Sequence, residues 1–277
     1  MSEATRPVPV TLLFDVRSPW CYQTSRWLRR VAELGEVTLS FGVFSLEVVN
    51  LHDDEDPVAY DAEYGPALRI ALALRADQGE RAIGDFYAAF GRRMWETPAP
   101  AGTGLPDVPE LARLALEDIG VDPGYAGKVL ADESTWTAVL DEHKQWLDRK
   151  VFGVPTLLID TGEPDPLSGA AEHVVFGPVL RALPADDEAL ELWRHLYGLT
   201  ALGTLYELKR FKSLQSRAEL ANAVPRADLR VADMRAARAL MGPGGPHAAS
   251  SLEWAMGQVR AQRAASRQFG TGHGGEE

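Results

Sequence analysis

The stretch Phe14-Asp15-Val16-Arg17-Ser18-Pro19-Trp20-Cys21-Tyr22 decides the fold. Upstream, Val8 to Phe14 (VPVTLLF) is a short apolar run with β-branched residues, the composition of a strand. Ser18-Pro19 has the form of a helix start. Serine supplies an N-cap oxygen, and proline at the first helical position gives up an N–H that would have no partner. Downstream, Trp20, Trp27, Leu28, Val31 and Leu34 recur at helical spacing, which predicts an amphipathic helix over 19–34 ended by Gly35. Val37 to Leu46 then reads as a second strand. Strand, helix, strand is the βαβ unit of a parallel sheet. The crevice at the carboxyl end of such a strand is a favoured ligand site.

Beyond that unit, residues 47–56 read as a loop ending in the acidic cluster His52 to Asp56. From Pro57 to Lys150 the signals are helical, with Asp56-Pro57 as a second cap-plus-proline start. Helices are predicted over Ala67 to Ala76, Gly84 to Trp95, Pro109 to Ile119, Pro123 to Leu130 and Thr135 to Arg149, with a Pro/Gly break at Ala99 to Thr103. The stripe of Phe86, Tyr87, Phe90, Met94 and Trp95 suits a core, or the wall of a cleft beside the sheet. Strand signals return at Pro155 to Asp160 and at His173 to Phe176. Gly177-Pro178 is expected to open a helix, Asp186 to Gly198 continues helically, and Tyr206 to Phe211 closes the compact part. The expected organisation is an α/β domain from 1–56 and 151–212, a helical insertion at 57–150, and an extension at 213–277, partly helical or disordered.

The chain has 277 residues and a single cysteine, Cys21. One cysteine excludes an intramolecular disulfide, a cysteine-based zinc cluster and a dithiol redox cycle within one chain. The net charge is −12, with an acidic body and a basic extension after residue 208, so nucleic-acid binding is not expected. No apolar run reaches the ~18–20 residues that span a membrane, and the N-terminus lacks the pattern of a signal peptide. A cytoplasmic location is therefore expected, in keeping with a free thiol. The histidines show no paired ligand spacing, so no metal site is expected; His52 with Asp53 and Asp54 reads as a solvated cluster. No G-x-S-x-G elbow is present, and the glycine runs follow no strand, which argues against hydrolase and dinucleotide sites.

The helix start at Ser18 brings unpaired N–H groups and partial positive charge, features that favour a thiolate, whether the protein's or a bound one. Candidate site residues lie around this start: Ser18 and Cys21 themselves, Arg17 to offset a thiolate charge, and Trp20 to wall an apolar pocket. Plainer roles stand beside them: Ser18 as a cap alone, Cys21 as an inert core residue, Arg17 as a solvated cation, and Trp20 as packing. Gly153-Val154-Pro155-Thr156 before a strand has the form of a cis-proline turn, with an ordinary trans loop as the alternative.

S-P-W-C sits where thioredoxin-like proteins of the DsbA type carry C-x-x-C, and residues 8–212 resemble that family throughout. The resemblance is closest to the actinobacterial mycothiol-dependent nitroreductases. Phe14-Asp15, Ser18 to Cys21, Thr24 to Trp27, Phe176 to Leu180 and Tyr206 to Arg210 match segments of their pattern. It implies a thioredoxin-like α/β fold with a large all-helical insertion between the βαβ start and the cis-Pro155 strand. The departure from the family is Ser18, which replaces the attacking cysteine; a hydroxyl cannot take a thiolate's place in thiol–disulfide exchange. Kappa-class glutathione transferases and 2-hydroxychromene-2-carboxylate isomerases resemble this chain in having Ser-Pro at that point. Their serine holds a bound thiol cofactor as a thiolate.

By that resemblance, Ser18 activates mycothiol or glutathione, and Val154 and Pro155 pair with the cofactor's peptide-like part. A helix start after Phe176-Gly177 takes a carboxylate, and a small electrophile is the substrate. Two other readings stand beside it: a monothiol reductase working through Cys21, and a redox-inactive binding module. The oligomeric state, a homodimer included, is left open.

Overall fold

The structure is a computed structural model that describes residues 6–51, 55–97 and 107–208. His52, Asp53 and Asp54, the Pro/Gly break at 99–103 and the extension from 213 onward lie outside the described residues. In chain order the elements are β1 (Val8–Phe14), α1 (Pro19–Glu33), β2 (Val37–Val43), α2 (Gly65–Gln78), α3 (Glu80–Gly91), α4 (Val108–Asp118), α5 (Gly124–Ala131), α6 (Ser134–Asp148), β3 (Thr156–Ile159), β4 (His173–Phe176) and α7 (Asp186–Thr200).

The sheet runs in the order β2-β1-β3-β4. β1 pairs parallel with β2, from Val8 opposite Val37 to Phe14 opposite Val43. It pairs antiparallel with β3, with Leu13 opposite Thr156, and β3 pairs antiparallel with β4, with Thr156 opposite Phe176. β1 is therefore central, and its apolar side chains Leu12, Leu13 and Phe14 are fully buried, which is why the run is nearly continuous. This pairing also sets the site. The carboxyl ends of β1, β2 and β4 and the amino end of β3 all meet at one edge of the sheet.

Helices complete the core. The Tyr87 ring of α3 stacks on Phe14 with centroids 3.9 Å apart, and Phe86, Tyr87, Phe90, Met94 and Trp95 are wholly buried, so the stripe is core. Trp27 of α1 donates its indole N–H to Ala189 C=O of α7 at 3.1 Å, and Arg30 binds Asp186 through both nitrogens of its fork. At its carboxyl end α3 widens into a π-helical turn, Arg92–Glu96. Gly91, just before that turn, lies so close to the Tyr22 ring that a Cβ there would overlap it.

Three expected elements differ. β2 stops at Val43 instead of Leu46 because the amides beyond Phe44 find other acceptors: Ser45 N–H donates to His143 Nδ1 at 3.1 Å and Leu46 N–H to Asp15 at 2.6 Å. Asp56-Pro57 makes a turn, with Asp56 accepting from Val58 N–H at 2.9 Å, and α2 begins only at Gly65-Pro66. Its entry is fixed by the Glu47 carboxylate, which accepts from Glu63 N–H at 3.1 Å and Tyr64 N–H at 2.9 Å. Gly177-Pro178 opens no helix. Gly177 has φ +96°, the next peptide bond is cis, and the chain turns away until α7 starts at Asp186. Tyr206 and Leu208, expected to close the compact part, are exposed at the end of the described chain.

Candidate functional site

The site is built on the turn between β1 and α1. Ser18 is the N-cap of α1, its backbone extended, its Oγ accepting from Cys21 N–H at 3.1 Å. Pro19 occupies the first helical position, as its fixed φ and missing N–H favour. Ser18 N–H donates to Asp15 C=O at 3.1 Å and Ser18 C=O accepts from Tyr22 N–H at 3.1 Å, so the turn is closed on both sides. With its oxygen used as an acceptor, the Ser18 hydroxyl proton has no acceptor among the described residues. A hydroxyl polarised by a helix N–H is the stronger donor for it.

Cys21 lies one turn further on and is fully buried. Its thiol donates to Leu13 C=O at 3.5 Å. Burial pushes the thiol up to about 12, against a small opposing effect from Tyr87. A thiol kept protonated and away from solvent is a poor nucleophile, in keeping with the inert core role that stood beside the reacting one. Its place is in the core beneath Ser18.

The other expected residues gather at the same sheet edge. The Val154–Pro155 bond is cis, and Pro155 C=O accepts from Gly177 N–H at 2.8 Å. That bond joins the turn before β3 to the turn after β4. Continuing the β1–β3 register by one residue sets Pro155 beside Phe14, at the foot of the Ser18 turn. The backbone N–H and C=O of Val154 have no partner among the described residues. Phe176 is half-buried with its ring 5.0 Å from Phe152, and Thr24 Oγ1 donates to Pro178 C=O at 2.7 Å, which ties α1 to this loop. Since no helix starts after Gly177, the helix-terminus carboxylate site expected there does not exist. Trp20 is half-buried at the second position of α1. Arg17 is half-buried, its guanidinium 5.9 Å from the Tyr64 ring.

Two buried carboxylates beneath the turn were not singled out from the sequence. Asp15 is wholly buried and accepts from Arg17 N–H at 2.8 Å and Leu46 N–H at 2.6 Å. Burial raises its carboxyl to about 6, offset in part by these two amides. Glu47 is 6% exposed and holds the entry to α2. An acid directly after an apolar strand was the available signal. Among the described residues no group of histidine, cysteine or acidic side chains could hold a metal ion, and no helix is long and apolar enough to cross a membrane.

A parallel βαβ unit, an antiparallel pair entered through a cis-proline, and a capped helix start at the same end of the sheet together define a thioredoxin-like protein. Residues 17–210 match a family model described as Rv2466c-like, mycothiol-dependent nitroreductase Rv2466c. A protein of Mycobacterium tuberculosis strain H37Rv, described as uncharacterized protein Rv2286c, is 35% identical over 202 residues, which is 72% of this chain and 80% of that protein. The chain belongs to the Rv2466c-like family. Solved structures similar to it include a 2-hydroxychromene-2-carboxylate isomerase (18% identity, TM-score 0.45, covering 69% of this chain and 95% of the other). They also include the cytosolic disulfide reductase DsbM of Pseudomonas aeruginosa (16%, 0.45, 69% and 99%) and a probable DsbA oxidoreductase of Streptomyces coelicolor (16%, 0.44, 74% and 94%).

Proposed function

We propose that this protein is a mycothiol-dependent oxidoreductase or transferase acting on a small electrophile, with Ser18 holding the cofactor sulfur as a thiolate. The observation that carries this reading is the contrast between Ser18 and Cys21. The hydroxyl sits at the helix start with its proton unused, and the chain's one thiol is sealed below it. The sulfur must then come from outside. The family's description supports mycothiol in that role; glutathione has no such support.

The residues present fit a thiol with an amide-bearing body. The Ser18 hydroxyl donates to the sulfur, and the positive end of the α1 dipole lowers its pKa further. Val154 offers a backbone N–H and C=O at the same sheet edge, the pair a peptide-like group requires. When bound, mycothiol supplies the sulfur nucleophile and, where the outcome is reduction, two thiols end as one disulfide while their two electrons and two protons pass to the substrate. Arg17 brings positive charge to the rim, and Trp20 and Phe176 supply apolar surface for the electrophile.

The test is thiol-dependent turnover of quinone and nitroaromatic probes by wild type and Ser18→Ala. The reading expects saturation with mycothiol and a loss of about 10²-fold or more in the variant. Unchanged turnover in Ser18→Ala would remove Ser18 from the mechanism. Alkylation of Cys21 by iodoacetamide separates the monothiol alternative: sealed as it is, Cys21 reacts far more slowly in the folded chain than in urea.

A further inference from the structure

We propose that Asp15 is a positioning residue for Ser18: its buried carboxylate ties the turn that presents Ser18 to the loop after β2, and the tie is strongest while the carboxyl is ionised. The two oxygens are used separately. One accepts from Arg17 N–H at 2.8 Å, inside the turn, and the other from Leu46 N–H at 2.6 Å, thirty-one residues away. The Asp15 backbone carbonyl accepts from Ser18 N–H at 3.1 Å, so the same residue grips the turn twice. A protonated carboxyl turns one of these oxygens into an O–H, a weaker acceptor than a carboxylate oxygen, so the tie is strongest when the carboxyl is ionised. Arg17, whose N–H is one of the two donors, directly precedes Ser18.

The tie reaches further through the neighbouring acid. Leu46 is followed by Glu47, whose carboxylate accepts from Glu63 and Tyr64 N–H at the entry to α2. The Ser18 turn, the loop after β2 and the helical block are thus joined by two buried carboxylates in series. Asp15 feels charged and titratable groups from every side. Arg17 in the turn favours its ionised form, and Glu47 opposes it. Cys21 lies beside it on α1, with Tyr87 of α3 beyond the thiol. His143 of α6 holds the adjacent Ser45 N–H at 3.1 Å. Burial shifts the carboxyl into a range where it changes charge near neutral pH, reaching about 6.

The consequence for thiol binding rests on the function proposed above; the tie itself does not, and the two are measured separately. The first measurement follows the backbone amide resonances of Arg17 and Leu46 in the full chain from about pH 5 to pH 8. The expected result is that both move with one common midpoint, and that neither shows this transition in Asp15→Asn. Resonances that stay still, or that move with unrelated midpoints, would overturn the proposal, whether or not the variant folds well. The second measurement is calorimetric binding of mycothiol to both proteins over the same range. Wild-type affinity is expected to fall about tenfold more steeply toward acid than that of Asp15→Asn, because the thiol's own titration is common to both. Equal slopes contradict the proposal for thiol binding. Absence of mycothiol binding to either protein at any pH contradicts the proposed function and leaves the amide titration to decide the tie.

Discussion

At the scale of single residues, Ser18 and Cys21 are three positions apart and have opposite fates. Ser18 sits in the last place before the helix, where its side-chain oxygen reaches Cys21 N–H. Cys21 sits a turn later on the inward face, where its sulfur meets Leu13 C=O and no water. Replacing Cys21 by alanine should therefore leave mycothiol binding unchanged while costing about 1–2 kcal/mol of stability in urea unfolding. A tenfold loss of binding would favour the monothiol reading for Cys21. Replacing Ser18 by alanine removes the cap, at about 1 kcal/mol, in addition to its effect on the thiol. The Ser18 cap was legible from the sequence because the helix start is a local signal. Asp15 was not. Its burial depends on Leu46 N–H, a partner brought in by the β1–β2 pairing and invisible along the chain.

At the scale of elements, the contact between α3 and α1 has no slack. The Tyr22 ring fills the space a side chain at Gly91 would need, and its hydroxyl is held by Glu96 at 2.7 Å from the π-helical turn. Gly91→Ala should cost about 2–4 kcal/mol, measured as a drop in urea midpoint, because an overlap against an anchored ring cannot relax. A loss below about 1 kcal/mol would show that the turn gives way. The elements that were misread share one cause. Asp56-Pro57 and Gly177-Pro178 have the residue pairing of helix starts, but each is claimed by the backbone around it. Asp56 closes a turn on Val58 N–H, and Gly177 donates to Pro155 C=O. Strands β3 and β4 and helices α4 to α7 were readable because their apolar spacing matched their burial, with bounds within a few residues. The widened end of α3 left no trace in the spacing of Phe86 to Trp95.

At the scale of the whole molecule, the site edge is held by buried polar groups that titrate in opposite directions. Burial raises Asp15 from 3.8 to about 6, so the folded chain keeps a proton that the unfolded chain releases in that interval. Its contribution to stability is present below about pH 4 and is lost as pH rises through 6. Burial lowers His143 from 6.5 to about 4, so its contribution is present above 6.5 and is lost as pH falls. The wild-type profile mixes the two slopes, and the difference from Asp15→Asn isolates one. The unfolding free energy of wild type minus that of Asp15→Asn should decline from about pH 4 to pH 6 and then level off. A flat difference would mean that Asp15 titrates normally. The same chain offers a clean reading of its proposed borrowed sulfur. Its only cysteine is pushed up to about 12 and stays silent over the neutral range. The most direct measurement is therefore the ultraviolet thiolate absorbance of the mycothiol complex, titrated with pH in wild type and Ser18→Ala. The account predicts at least about tenfold more thiolate at neutral pH in the wild-type complex than in free mycothiol, with most of that gain lost in the variant. A bound thiol that titrates like the free one, or identically in the two proteins, would contradict it.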